Sequence, residues 1–263
     1  MWYEIYGANE GGGKYSSLRE WRVLSMASPS MELDPAESYF PFSIKPDRKL
    51  GVQDVIGVYR DTYGGTQFDI TERPEFRVDG EKSPAASPYG MRNTEDPLWN
   101  LLRIESERTI SQSRTGFCWV NQLRGWLPDP IGGVMWYAND CPGTSVFVPI
   151  HVGAVSVPDA WAECDATAFD GDSAWWNFNI VNNLAFQSLY QMAIEDIRVV
   201  QRDVEHLFFS HQGAIENTAL GLYKGGEEDT RDFLTAYTHK SCDEALNVYS
   251  QLLKLLLYKY YAF

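Results

Sequence analysis

The hydrophobic period of this chain changes twice, and that succession limits its fold more than any other feature. Near the start, Leu18, Trp21, Val23 and Leu24 recur at helical spacing until Pro29 stops the run. Val52, Val55, Ile56 and Tyr59 stand at i, i+3, i+4, i+7, which predicts a short amphipathic helix over 51–63 that ends at Gly64-Gly65. In the middle the pattern turns to short β-branched and aromatic runs at 109–110, 116–123, 133–138 and 145–152. They read as an antiparallel sheet of at least four strands, with a Pro-Asp/Gly-Gly turn at Pro128 to Gly133. Helical spacing then returns. Phe178, Val181, Ala185, Leu189, Met192, Ile197, Val200, Val204 and Leu207 predict one helix over 173–209, roughly 50 Å long, capped by Asp172 or Ser173. After Gly225-Gly226-Glu227-Glu228-Asp229, two more helices are expected. A capping box, Ser241-Cys242-Asp243-Glu244, opens the second.

Helix, then sheet, then helices argues for an α+β fold, an antiparallel sheet with packed long helices, rather than alternating α/β. The chain reads as a single incomplete domain, 1–263: a leading helical segment 1–65, an irregular loop 66–98, antiparallel strands 99–158 and helices 172–263. Residues 66–97 are rich in Gly, Pro, Ser and charge without periodicity, and so long an irregular stretch is usually a lid or a binding loop.

Charge and composition remove several functions. With 36 acidic against 22 basic residues the net charge is −14, which repels phosphate backbones and anionic lipid, so neither nucleic acid nor membrane is an expected partner. No apolar run reaches the roughly 18 residues needed to cross a bilayer. Met1 to Lys14 carries Gly11-Gly12-Gly13 where a signal peptide needs an apolar core, so a cytoplasmic location is expected. Cys118, Cys141, Cys164 and Cys242 form no CxxC pair and read as reduced structural thiols, while His206 and His211, five apart, fall on different helix faces. No nucleophile elbow, metalloprotease helix, phosphate loop or dinucleotide fingerprint is present, and no cofactor or metal is implied. His151, on a strand, reads as a core or cleft-wall residue rather than a general base.

What remains is the block from Ser106 to Gly153. It contains Glu107-Arg108-Thr109-Ile110-Ser111, Arg114-Thr115, and Gln122-Leu123-Arg124-Gly125-Trp126-Leu127-Pro128-Asp129-Pro130-Ile131-Gly132-Gly133-Val134-Met135-Trp136. Further ordered pieces are Leu18 to Leu24, Tyr39 to Asp47, Gln53 to Val55, Arg60 to Thr66 and Asp172 to Phe178. Together they resemble the dipeptidase-A-type cysteine dipeptidases, N-terminal-nucleophile hydrolases that include the secernins, over most of the chain.

The resemblance implies an αββα sandwich, of which this chain is the second part, and hydrolysis of short peptides. In that family a cysteine at residue 1 attacks the amide carbonyl, with its own α-amino group as base. This chain opens Met1-Trp2-Tyr3-Glu4 and its first cysteine is Cys118, so the nucleophile is expected to be absent and the isolated chain inactive, a fragment, truncated product or non-catalytic derivative. Asn139, at a strand end, becomes a candidate oxyanion donor; the plain alternative is a turn asparagine before Cys141-Pro142. Asp140 matches a family aspartate and joins Arg108 and Arg114 as candidate substrate-binding residues, since an arginine can grip a peptide carboxylate with two hydrogen bonds. On the residues alone, the favoured reading of Arg108 is a surface arginine paired with Glu105 or Glu107, and the resemblance is what brings it toward the cleft. The rival function is a secernin-like interaction or regulatory module. A sheet lacking its other strands is also expected to expose an edge and self-associate.

Overall fold

The computed structural model describes residues 15–37, 39–89, 108–187 and 189–262, and within them the chain is α+β. Helix α1 spans Tyr15–Ala27 and α2 spans Val52–Tyr59. The second helix stops short of the expected 63 because Asp61 turns the chain. Its carboxylate accepts from the Tyr63 amide, and Tyr63 itself sits at φ 64°. Strands β1 (Arg77–Val78) and β2 (Glu81–Lys82) form a small hairpin whose tip, Asp79-Gly80, has positive φ at both positions. That is the chemistry of a two-residue hairpin turn, which the irregular-loop reading of 66–98 passed over.

The main sheet holds β3 (Phe117–Leu123), β4 (Gly133–Asn139) and β5 (Val148–His151), antiparallel in that order. This sheet therefore has three strands among the described residues, where at least four were expected. Thr109 and Ile110 are not in a strand. The Thr109 hydroxyl donates to the Ser111 carbonyl and the Ser111 amide to the Asp61 carbonyl at 2.9 Å, so local bonds displace a ladder. The Pro128–Gly133 turn contains a helical turn, α3 (Asp129–Gly132).

A short α4 (Asp159–Ala162) precedes α5 (Ala174–Gln187), α6 (Tyr190–Tyr223) and α7 (Glu227–Tyr261). The single helix expected over 173–209 is thus two helices, the second running on to Tyr223. Between them Leu189 leaves helical geometry, with φ −101° and ψ 72°, and Gln191 donates backbone and side-chain N–H to Pro84 and Ala86 carbonyls. The backbone bond satisfies a donor that the helix start leaves open. Ser173 does not cap α5 with its hydroxyl, which is buried without a partner among the described residues; the Asn177 side-chain amide donates back to the Gly171 and Ser173 carbonyls instead. The last two expected helices are one. Ser241 lies inside α7, its hydroxyl donating to the Tyr237 carbonyl, while Glu227, Glu228 and Asp229 occupy the true first turn.

The helices cover one face of the sheet. Cys118, Val120, Val134, Trp136 and Ala138 point into them; Trp136 stacks on Phe209 at 4.1 Å and Phe178 on Tyr249 at 3.9 Å. Alternation along the strands sends Phe117, Trp119, Asn121 and Leu123 of β3 to the other face. There Phe117, Trp119 and Leu123 are 54%, 43% and 77% exposed. Trp161 of α4 stands edge-on against Tyr137 and against Phe178 of the helix layer.

Candidate functional site at the end of strand β4

The last ladder pair of β3 and β4 is Phe117 opposite Asn139, on the open face. Asn139 is only 5% exposed. Its Oδ1 accepts from the Tyr137 hydroxyl at 3.1 Å, whereas its Nδ2 is buried without a partner among the described residues. Such a donor costs about 1–3 kcal/mol left unmade, so an unpaired one is uncommon. Phe117, across the ladder, is 54% exposed. It lies in a short aromatic row, stacked on Trp119 at 5.5 Å and on Tyr137 at 6.2 Å.

Asp140 follows at φ 61°, a left-handed conformation uncommon outside glycine. Its amide donates to the Gly116 carbonyl at 2.8 Å. One carboxylate oxygen accepts from the Cys141 amide at 2.7 Å and the other from Asn179 Nδ2 at 2.6 Å. Both oxygens are thereby engaged by protein donors.

The loop from Cys141 to Phe147 is pinned from four helices. Arg60, at the end of α2, donates to the Pro142 carbonyl at 2.9 Å and the Ser145 carbonyl at 2.7 Å, and pairs with Glu205 of α6 through both terminal nitrogens at 2.8 and 2.6 Å. Glu205 also accepts from the Phe147 amide. Gln201 of α6 donates to Gly143 and Ser145 carbonyls, Asn182 of α5 accepts from the Thr144 hydroxyl, and the Tyr249 hydroxyl of α7 donates to the Thr144 carbonyl. Gly143 has to be glycine, since a Cβ there would strike the Tyr89 hydroxyl and Ser111 Oγ. The rigid frame behind Asn139 therefore comes mostly from residues the sequence did not single out. Arg60 had one signal, its place at the head of the Arg60 to Thr66 piece.

The other candidates lie apart from this frame. Arg108 and Arg114 are both exposed, on the irregular segment before β3 rather than on a strand. The Arg108 carbonyl accepts from the buried Tyr63 hydroxyl at 3.0 Å, which fixes its backbone. Glu105 and Glu107, its suggested partners, lie outside the described residues. Asn121 is exposed on the open face.

The thiols are poor nucleophiles where they stand. Burial pushes Cys118 and Cys242 up to about 12 and raises Cys141 as well, which keeps all three protonated near neutrality. Cys164 is exposed. His151 is buried on the helix side of β5 with neither ring nitrogen partnered among the described residues, and burial together with the Arg124 charge pushes it down to about 4. It is a neutral core histidine. His206 and His211 are both exposed on α6.

Comparison with known proteins agrees with the resemblance. The sequence model of Peptidase family C69 matches residues 2–203. The chain is 24% identical over 240 residues to a "Probable dipeptidase" of Latilactobacillus sakei, covering 90% of this chain and 44% of that protein. It is 28% identical over 147 residues to a "Probable dipeptidase" of Salmonella dublin, covering 55% and 28% respectively. With "Dipeptidase A" of Lactobacillus helveticus it shares 21% over 147 residues, covering 56% and 26%. The chain spans less than half the length of these curated relatives.

Proposed function

The chain belongs to peptidase family C69, and on that footing we propose that it forms the helix-backed half of a dipeptidase whose nucleophile lies outside it. The carrying observation is Asn139: a buried, unpaired amide donor on the open face of the sheet, held at a strand end by a rigid frame. Donors fixed in advance toward a developing oxyanion are worth about 10²–10³ in rate. The aromatic open face is the surface on which the second sheet of an αββα sandwich packs, and exposed in isolation it favours self-association. Arg108 or Arg114 holds a terminus of a short peptide from the loop above β3. Asp140 acts beside them through the backbone it sets. The protein works in the cytoplasm, and no described helix is long and apolar enough to cross a membrane.

A second reading, a non-catalytic module of the secernin kind, is favoured by one observation: burial raises the three enclosed thiols, Cys118, Cys141 and Cys242, and holds them protonated near neutrality. One experiment separates the two. Purified chain is mixed with a panel of dipeptides, following both amine release and binding by chemical-shift change. Binding without hydrolysis is expected, and Arg108→Ala or Arg114→Ala should weaken it. Absence of any dipeptide binding would favour the second reading. Thiol-sensitive hydrolysis lost on a Cys→Ser change at 118, 141, 164 or 242 would overturn the missing nucleophile.

A further inference from the structure

Asp140 takes a backbone conformation that costs most residues energy, and it does so immediately after Asn139, whose buried amide donor has no partner among the described residues. Something has to hold it there. Its amide bond to Gly116 and its side-chain bond to the Cys141 amide are local to the strand end. The third restraint arrives from another layer, from Asn179 Nδ2 of α5 at 2.6 Å.

The orientation of that amide is fixed by chemistry. A carboxylate only accepts, so Asn179 must turn its NH2 toward Asp140, and its oxygen then faces away. That oxygen accepts from Asn183 Nδ2, one turn further along α5, at 2.8 Å. The bonds form a directed chain from Asn183 to Asn179 to Asp140. On the same helix Asn182 donates to the Ser113 carbonyl at 3.0 Å and accepts from Thr144, so α5 grips the segments on both sides of the β3–β4 end.

We infer that Asn179 is a positioning residue: it clamps Asp140 in the left-handed conformation and so aims the Asn139 amide. This rests on the reading of Asn139 as the oxyanion donor, but its test does not use turnover. The measurement is the Asn139 side-chain NH2 signal in ¹⁵N spectra of the chain, with its hydrogen-exchange rate, in wild type, Asn179→Leu, Asp140→Gly and the double variant. Glycine adopts positive φ without strain, so Asp140→Gly removes the need for a clamp.

Asn179→Leu is expected to shift the Asn139 signal and speed its exchange about tenfold, the equivalent of one hydrogen bond to a charged acceptor. In the Asp140→Gly background the same change should add nothing. An unchanged Asn139 signal in Asn179→Leu, or equal effects in both backgrounds, would overturn the clamp. If Asn179→Leu does not fold, Asn183→Ala is read in the same way, with a smaller shift expected and no shift fatal. Dipeptide turnover indifferent to Asn139→Ala in an enzyme supplied with its nucleophile would remove the oxyanion role and leave the clamp standing.

Discussion

The two faces of the main sheet carry side chains of similar size in different surroundings. On the helix side Trp136 is fully enclosed and stacked on Phe209, with Val134 and Ala138 beside it. On the other side Trp119 and Phe117 stack on one another in the open, and Leu123 has no cover. Burial alternates along β3, whereas β4 is buried or half-buried throughout, so the difference comes from what packs against the sheet. An antiparallel sheet commonly leaves one face to water, but then that face is polar. Here the open side is apolar except for Asn121 and the buried Asn139, as the proposed inner surface of a sandwich would be.

Substitution at matched positions breaks or sharpens this contrast most strongly. Trp136→Ala should cost about 3–5 kcal/mol in urea unfolding, as large-to-small changes in filled cores do. If Trp136→Ala proves mild, the helix side is not the core. Next comes Arg60→Ala, which strands Glu205 beneath the loop behind Asn139. A loss of about 3 kcal/mol is expected, whereas retained stability would mean the pair is idle.

His151 adds a pH dependence to the same side. Its folded value near 4 lies below the ordinary 6.5, so the unfolded chain binds the extra proton first. Stability is full above about 6.5 and falls as pH drops toward 4, by up to about 3 kcal/mol, then levels. The difference between wild type and His151→Phe, measured from pH 7 to 4, should trace that window; parallel curves would refute it. Smaller again, Asn139→Ala should leave stability unchanged or raise it by up to about 1 kcal/mol, because it removes an unpaired donor. A clear loss would mean that the Tyr137 hydrogen bond to Asn139 outweighs the unpaired donor. Smallest is Trp119→Ala on the open face, within about 0.5 kcal/mol for the isolated chain.

The sequence made the sheet legible through its short β-branched and aromatic runs: β3 and β5 fall within the runs read for them, and β4 extends one residue past its own. It did not show the break at Leu189, since the apolar stripe runs through it and the cause is Gln191 reaching loop 84–86. The reverse happened at Ser241, where a capping sequence is swallowed by a continuous helix whose packing overrides it. At the site, Asn139 was legible as a strand-end amide. Its frame was not: Arg60 and Glu205 are 145 residues apart, and Asp140 and Asn179 are 39 apart, separations that no local pattern records.

The most direct test of the open face as an interior surface is the mass of the purified chain in solution, by sedimentation across a range of concentrations. Self-association is expected, with species heavier than the 29.9 kDa chain. The double change Phe117→Ser and Trp119→Ser should return the protein to a single folded copy. A wild-type chain that stays at 29.9 kDa at every concentration, as soluble as the double variant, would contradict the claim that this face is built to be covered.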